Sequence, residues 1–318
     1  MVPLPDPSAF RAAHSKQLDI PLRTMVAWLV SMEAAAMAEK PPRLRARLDH
    51  IALNSPDPGA LAEFYRLALD LQPEKLGDDL WLCHAPQRRV LIAKGSAKTL
   101  AFGAYAVATA DLLAALRDRL ARSGLPLERL PTSLFADGGF AVKDPDGNRI
   151  AFGVPTAHSE PEMAVLPARL QHLVFGSDEV QRLADFYEQV LGFTVSDRVF
   201  DKSGRLTNCF FRADRGDHHI LAVFPAGQKK LDHHCYESLD WGLIRDWSDQ
   251  LSNRNIPIAW GPGRHGPGAN LFIMVRDPDG NWVEISAELE QVEAERPAGV
   301  WQNGPEVANR WGQPRLTI

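Results

Sequence analysis

Cysteine is scarce: Cys83, Cys209 and Cys235 are the only three in 318 residues, and no two of them form a Cys-x-x-Cys pair. An odd number so spaced makes a poor disulfide framework, and a reducing cytoplasm is the expected location. An excess of positive charge is also missing. The 35 Lys and Arg against 40 Asp and Glu leave a net charge of -5, which argues against nucleic acid as a partner, because phosphate binding needs clustered cations. Long apolar runs are absent too. Met25 to Val30 is short, lies far from the start and is soon interrupted by Glu33. Neither a secretory signal nor a membrane span of about 20 residues fits there. A helix packed on the protein, or joining subunits of a homo-oligomer, is expected over Met25–Met37. What remains is 45% apolar and 24% charged, the balance of a globular chain longer than one ordinary domain.

That length is explained by a repeat. Arg47-Leu48-Asp49-His50-Ile51-Ala52-Leu53 returns as Arg169-Leu170-Gln171-His172-Leu173-Val174-Phe175. Behind each copy comes a helix-like stretch, Ala62-Glu63-Phe64-Tyr65 and Ala184-Asp185-Phe186-Tyr187. Each half then closes with the same turn and strand, Asp144-Pro145-Asp146-Gly147-Asn148-Arg149-Ile150 and Asp277-Pro278-Asp279-Gly280-Asn281-Trp282-Val283. Three landmarks in one order indicate a tandem duplication. The turn itself reads as structural, since Pro fixes φ and Gly accepts φ > 0. Each half reads as strand, helix, several strands, a second helix and two last strands. Val90–Ala93, Leu100–Val107 and Phe140–Val142 have strand length, and Leu112–Leu120 and Leu243–Leu251 have helical spacing. The expected organisation is an N-terminal helical extension over 1–46, modules over 47–156 and 168–288, and a C-terminal tail over 289–318, with a proline-bearing linker at Pro155–Pro167.

The duplication provides an internal control. Aligned halves set His172 opposite His50, His233 opposite Phe102, and Glu284 opposite Ala151, the last pair each seven residues after its turn Asp. Positions needed only for folding should tolerate similar residues in both halves. The polar set in the second half alone therefore marks His172, His233 and Glu284 as a site, with a retired one in the first half. Two imidazoles and a carboxylate on one face of an octahedron suit non-haem iron(II), and manganese(II) fits the same donors. All three should lie on strands, with period-two alternation grouping His172 with Leu170 and Val174, His233 with Leu231 and Cys235, and Glu284 with Trp282 and Ser286. His50 reads as a polar relic without partners.

From Arg47 to Glu288 the chain resembles the type I extradiol ring-cleaving dioxygenases of the vicinal oxygen chelate superfamily. The likeness is closest in Gly261-Pro262-Gly263-Arg264-His265-Gly266 and in Asp277 to Glu284, and the tail segment Asn309-Arg310-Trp311-Gly312 is similar to that of the homoprotocatechuate-cleaving branch. The resemblance implies an α+β fold of tandem βαβββ modules curled around the metal. It implies ring opening of a small aromatic diol with O2, Fe(II) on His172, His233 and Glu284, an acid–base imidazole at His219, and a further site His at His265. An imidazole titrating near neutrality can give and take a proton. Departures are equally informative. Met274 stands nine residues after His265, where the family carries Tyr, so one O–H donor is lost. Trp260 and Ala308 replace two carboxylate-binding Arg of the homoprotocatechuate branch, with Arg310 close to the second. Trp260, Phe211, Met274, His218 and Trp301 are thus the expected substrate contacts, forming a pocket for a substrate without a carboxylate. A glyoxalase-like lyase or isomerase, or a non-catalytic binding relative, are the competing readings.

Overall fold

The alternating segments of the first half become β1 (Ala46–Ser55), α1 (Pro58–Leu69), β2 (Gln72–Gly77), β3 (Leu80–Ala85), β4 (Arg88–Lys94), β5 (Thr99–Val107), α2 (Ala110–Arg122), β6 (Glu128–Arg129), β7 (Phe140–Lys143) and β8 (Arg149–Gly153). The second half repeats them as β9 (Arg169–Ser177), α3 (Val180–Asp185), a π-helical turn (Phe186–Leu191), β10 (Thr194–Phe200), β11 (Leu206–Arg212), β12 (Leu221–Pro225), β13 (Lys230–Glu237), α4 (Trp241–Asn253), β14 (Trp260–Arg264), β15 (Leu271–Arg276) and β16 (Trp282–Ala287). A tail adds β17 (Gly299–Gln302) and α5 (Pro305–Ala308). These elements come from a computed structural model that describes residues 41–157, 166–213 and 216–314. The expected helix at Met25–Met37 and most of the linker lie outside the described residues. Among those described, no helix is long and apolar enough to cross a membrane.

The two sheets have one topology. The first runs β2-β3-β4-β1-β5-β8-β7-β6, and the second β10-β11-β12-β9-β13-β16-β15-β14, with β17 added beside β10. The βαβββ unit therefore occurs twice in each half, joined through the antiparallel pairs β1–β5 and β9–β13. Three strands, not two, follow the second helix. The additional ones carry little apolar alternation: β6 has two residues, and β14 is Trp-Gly-Pro-Gly-Arg, a composition that weakens strand signals. Helix starts follow capping chemistry. The side chains of Asp57, Thr109 and Asp240 accept hydrogen bonds from the backbone N–H three residues on, satisfying donors that have no partner inside the helix.

Register supports the aligned halves residue by residue. Ala52 pairs with Phe102 as Val174 pairs with His233, and Ala104 pairs with Ala151 as Cys235 pairs with Glu284. One apolar core runs through both halves, and each half locks the other at a turn. Tyr187 of the second half donates to Asp144 Oδ2 of the first at 2.8 Å, and Tyr65 of the first donates to Asp277 Oδ2 of the second at 3.4 Å. The same two Asp side chains build the Asp-Pro-Asp-Gly turns. Asp144 Oδ1 accepts from the backbone of Asp146 and Asn148, and Asp277 Oδ1 from that of Asn281. Gly147 and Gly280 adopt φ of 89° and 84° there, the left-handed region that glycine enters without strain.

Candidate metal centre

His172 lies on β9, His233 on β13 and Glu284 on β16, neighbouring strands at the centre of the second sheet. All three are buried. His172 Nε2 and His233 Nε2 are 3.3 Å apart, and Glu284 Oε2 lies 3.6 Å from the first and 3.1 Å from the second. The period-two grouping holds for Val174, which packs beside the site, but Leu170 and Leu231 belong to the main core instead. The register shifts between Leu231 and His233, and between Cys235 and Tyr236 opposite His172 and Leu170. Such bulges break strict alternation and re-aim side chains.

The protons of these imidazoles are fixed from behind. Gln171 Nε2 donates to the His219 carbonyl, which turns Gln171 Oε1 toward His172 Nδ1. An amide oxygen only accepts, so His172 Nδ1 carries the hydrogen. His233 Nδ1 likewise donates to Asp232 Oδ1 at 2.8 Å. Both Nε2 atoms then present lone pairs to each other and to Glu284 Oε2, a buried oxygen that accepts no hydrogen bond. Three converging lone pairs repel unless a cation or a proton sits among them. Burial opposes protonation of His233, but the Asp232 and Glu284 carboxylates outweigh it and raise its pKa to about 8. Burial also works against charge on Glu284, and the imidazoles of His172, His233 and His265 overcome it, holding its carboxyl well below the usual range. The cluster is thus suited to a divalent cation, with donor atoms all within 4.8 Å of one another.

The site opens into a cavity of about 380 Å³. His219, His265, Trp260 and Met274 line it. The His219 ring centroid is 4.5 Å from that of His172, and burial depresses the His219 pKa well below its ordinary value. His265 stacks on Phe272 at 4.0 Å, and its Nδ1 donates to the Ala308 carbonyl of the tail at 2.6 Å. Gly266 lies beneath the tail: a Cβ there would come within 2.6 Å of the Glu306 carbonyl. Among the described residues, no Lys or Arg lines the cavity.

Three expected substrate contacts do not line it. Phe211 is fully buried in the main core against Tyr187 and Phe193, and its neighbour Phe210 takes the cavity wall. A one-residue difference in a strand reverses the face. His218 is buried behind His219, with Nε2 3.1 Å from Asp197. Trp301 Nε1 donates to the same Asp197 at 2.7 Å. Arg310 is exposed, joined to Arg264 through its backbone. Sequence reasoning missed Gln171, Asp232 and Asn270, whose Nδ2 donates to Glu284 Oε1 at 3.1 Å. For Gln171 and Asp232 the signal was a hydrogen-bonding residue directly before a ligand His, as Asp49 stands before His50; Asn270 carried no such signal.

In the first half the equivalent space is filled. Phe102, Ala104, Phe135 and Ala151 form an apolar cluster. His50 is not without partners. Its Nδ1 lies 2.8 Å from Asp49, its Nε2 3.0 Å from Thr132, and Arg89 neutralises Asp49 at 2.7 Å.

This geometry has counterparts. The sequence profile described as the Glyoxalase/Bleomycin resistance protein/Dioxygenase superfamily matches residues 47–152 and 169–285. Metapyrocatechase 2 from Cupriavidus necator is 30% identical over 311 residues, covering 87% of this chain and 94% of that protein. The Mn(II)-bound glyoxalase from Novosphingobium aromaticivorans is 26% identical, with a TM-score of 0.71 over 85% of this chain and 91% of its own. Homoprotocatechuate 2,3-dioxygenase from Brevibacterium fuscum, in complex with 3,4-dihydroxyphenylacetate, shares the fold at 21% identity. Its TM-score is 0.76 over 88% of this chain and 92% of its own.

Proposed function

The chain belongs to the glyoxalase/bleomycin resistance protein/dioxygenase superfamily, and from that premise we propose that it is a metal-dependent extradiol dioxygenase cleaving the ring of a catechol-type compound with O2. The observation that carries this reading is the convergence of three buried lone-pair atoms beside a cavity that also holds an unused imidazole, His219. His172, His233 and Glu284 would hold the metal through Nε2, Nε2 and Oε2. We propose iron(II); manganese(II) suits the same donors. Bound there, the metal would supply Lewis-acid and redox chemistry toward a diol and O2. We assign it to the 168–288 module, the 47–156 module being a metal-free partner. Three free, buried cysteines are in keeping with a cytoplasmic enzyme.

The protein's own groups divide the remaining work. Two neutral imidazoles and one carboxylate leave one positive charge on a divalent ion, which favours an ionised diol. His219 takes the proton of a diol hydroxyl and returns it to the ring-opened product. His265, oriented by the Ala308 carbonyl, is the second polar group at the cavity wall. Trp260, Met274, Phe210, Phe224 and Val307 exclude water from the ring. With no Lys or Arg among the described wall residues and the Asp232 carboxylate in the wall, a substrate bearing its own carboxylate is disfavoured.

The test loads the full chain anaerobically with Fe(II) and follows O2 uptake and yellow product across neutral and carboxylated catechols. Uptake with neutral catechols is expected, with kcat/KM for carboxylated ones lower by about tenfold or more. Bound iron without O2 consumption on any ortho-diol would move the reading to a lyase, which the Mn(II)-bound glyoxalase neighbour favours.

A further inference from the structure

We propose that Asp197, acting through His218, is a positioning residue that keeps the His219 proton on Nδ1 and turns the Nε2 lone pair to the cavity. What that lone pair does rests on the ring-cleavage reading; where the proton sits does not.

The chain of contacts starts in the cavity wall and runs inward. His219 Nδ1 and His218 Nδ1 are 3.0 Å apart, so one of the two nitrogens carries the hydrogen between them. The other nitrogen of His218, Nε2, lies 3.1 Å from Asp197 Oδ2, with both side chains buried. A lone pair facing a carboxylate oxygen at that distance would be repelled, in surroundings with little solvent to screen it. His218 Nε2 therefore carries a hydrogen held toward Asp197 by charge; the nitrogen is buried and completes no well-aligned hydrogen bond. The Asp197 charge is also met by Arg296, whose two terminal nitrogens reach Oδ1 at 3.1 Å, and by Trp301 Nε1 at Oδ2. With its hydrogen on Nε2, facing Asp197, His218 offers Nδ1 as an acceptor. His219 then donates from Nδ1, and only Nε2 is left for the cavity, as an acceptor suited to a substrate O–H.

The tail completes this device. β17 pairs with β10 so that Gly299 lies against Asp197, and a Cβ at 299 would come within 2.3 Å of Asp197 Oδ1. Arg296, Gly299 and Trp301 together enclose the carboxylate. This explains why Trp301, expected in the pocket, is occupied elsewhere.

Long-range proton–nitrogen NMR of the histidine rings tests the proposal on the full chain loaded with diamagnetic Zn(II), with the His219 signals assigned from His219→Gln. The expected spectrum has a protonated Nδ1 and an unprotonated Nε2 on His219. A proton on Nε2, or on both nitrogens, would overturn the proposal. In Asp197→Asn the charge facing His218 is lost, and an amide whose oxygen stays on Arg296 presents N–H₂ to both His218 Nε2 and Trp301 Nε1. The His218 proton then moves to Nδ1 and His219 changes tautomer. Trp301→Phe, which removes a donor without touching the chain, should leave the tautomer unchanged. With Fe(II), Asp197→Asn should lower kcat about tenfold or more while KM moves little; a changed tautomer with unchanged kcat would contradict the positioning role. If Asp197→Asn fails to fold, the wild-type spectrum decides. If no diol is oxidised, the ring-cleavage reading fails while the tautomer is still read directly.

Discussion

At the scale of single residues, the side chains directly before each site histidine set its chemistry. Asp232 and Gln171 fix the hydrogen of His233 and His172 on Nδ1, leaving Nε2 as a ready ligand. Groups behind a metal ligand typically change affinity by about 10–100-fold. Asp232→Ala should weaken metal binding by that amount in chelator competition with the fold retained; unchanged affinity would remove Asp232 from the account. Glu237 carries a pH signature. Burial lifts its carboxyl pKa from 4.5 to about 7, even though its oxygens accept from Ser286 and the Leu289 N–H. A carboxyl whose pKa is raised by folding binds its proton more tightly in the folded state. Its contribution therefore favours the fold below the unfolded value of about 4.5 and is lost as pH rises through about 7. Relative to Glu237→Gln, the wild type should lose roughly 3 kcal/mol of stability across that interval, read from urea midpoints at successive pH values. A difference independent of pH would contradict this.

Elements show where sequence was legible and where it was not. The three ligand positions could be read because the duplicate supplies Phe102 and Ala151 at the same register, a comparison that needs no tertiary knowledge. Faces within strands were less legible. Leu231 was grouped by alternation and Phe211 was expected as an aromatic pocket wall, yet bulges in β13 and a one-residue difference in β11 decide which neighbour meets the cavity. Nothing in local periodicity encodes a bulge. The Asp-Pro-Asp-Gly turns were read as local structure, and they are, but their Asp side chains also receive Tyr187 and Tyr65 from the opposite half. Those long-range bonds have no sequence spacing to betray them. Tyr187→Phe should therefore destabilise the chain by about 1–3 kcal/mol, because a buried carboxylate loses a donor. Denaturant unfolding checks it, and a loss below about 0.5 kcal/mol would mean that the clasp contributes little.

For the whole molecule, duplication separates two tasks. Each half keeps the same sheet and the same turn, and the shared core joins them. One half then fills its centre with Phe102, Phe135 and Ala151, while the other keeps a polar centre that is costly to bury without a cation. The halves should therefore differ absolutely in metal content. The most direct measurement is the metal content of the full chain after anaerobic Fe(II) loading and gel filtration, for the wild type and for Glu284→Ala. About one iron per chain is expected for the wild type and essentially none for the variant. Two irons per chain, or iron retained by Glu284→Ala, would contradict this.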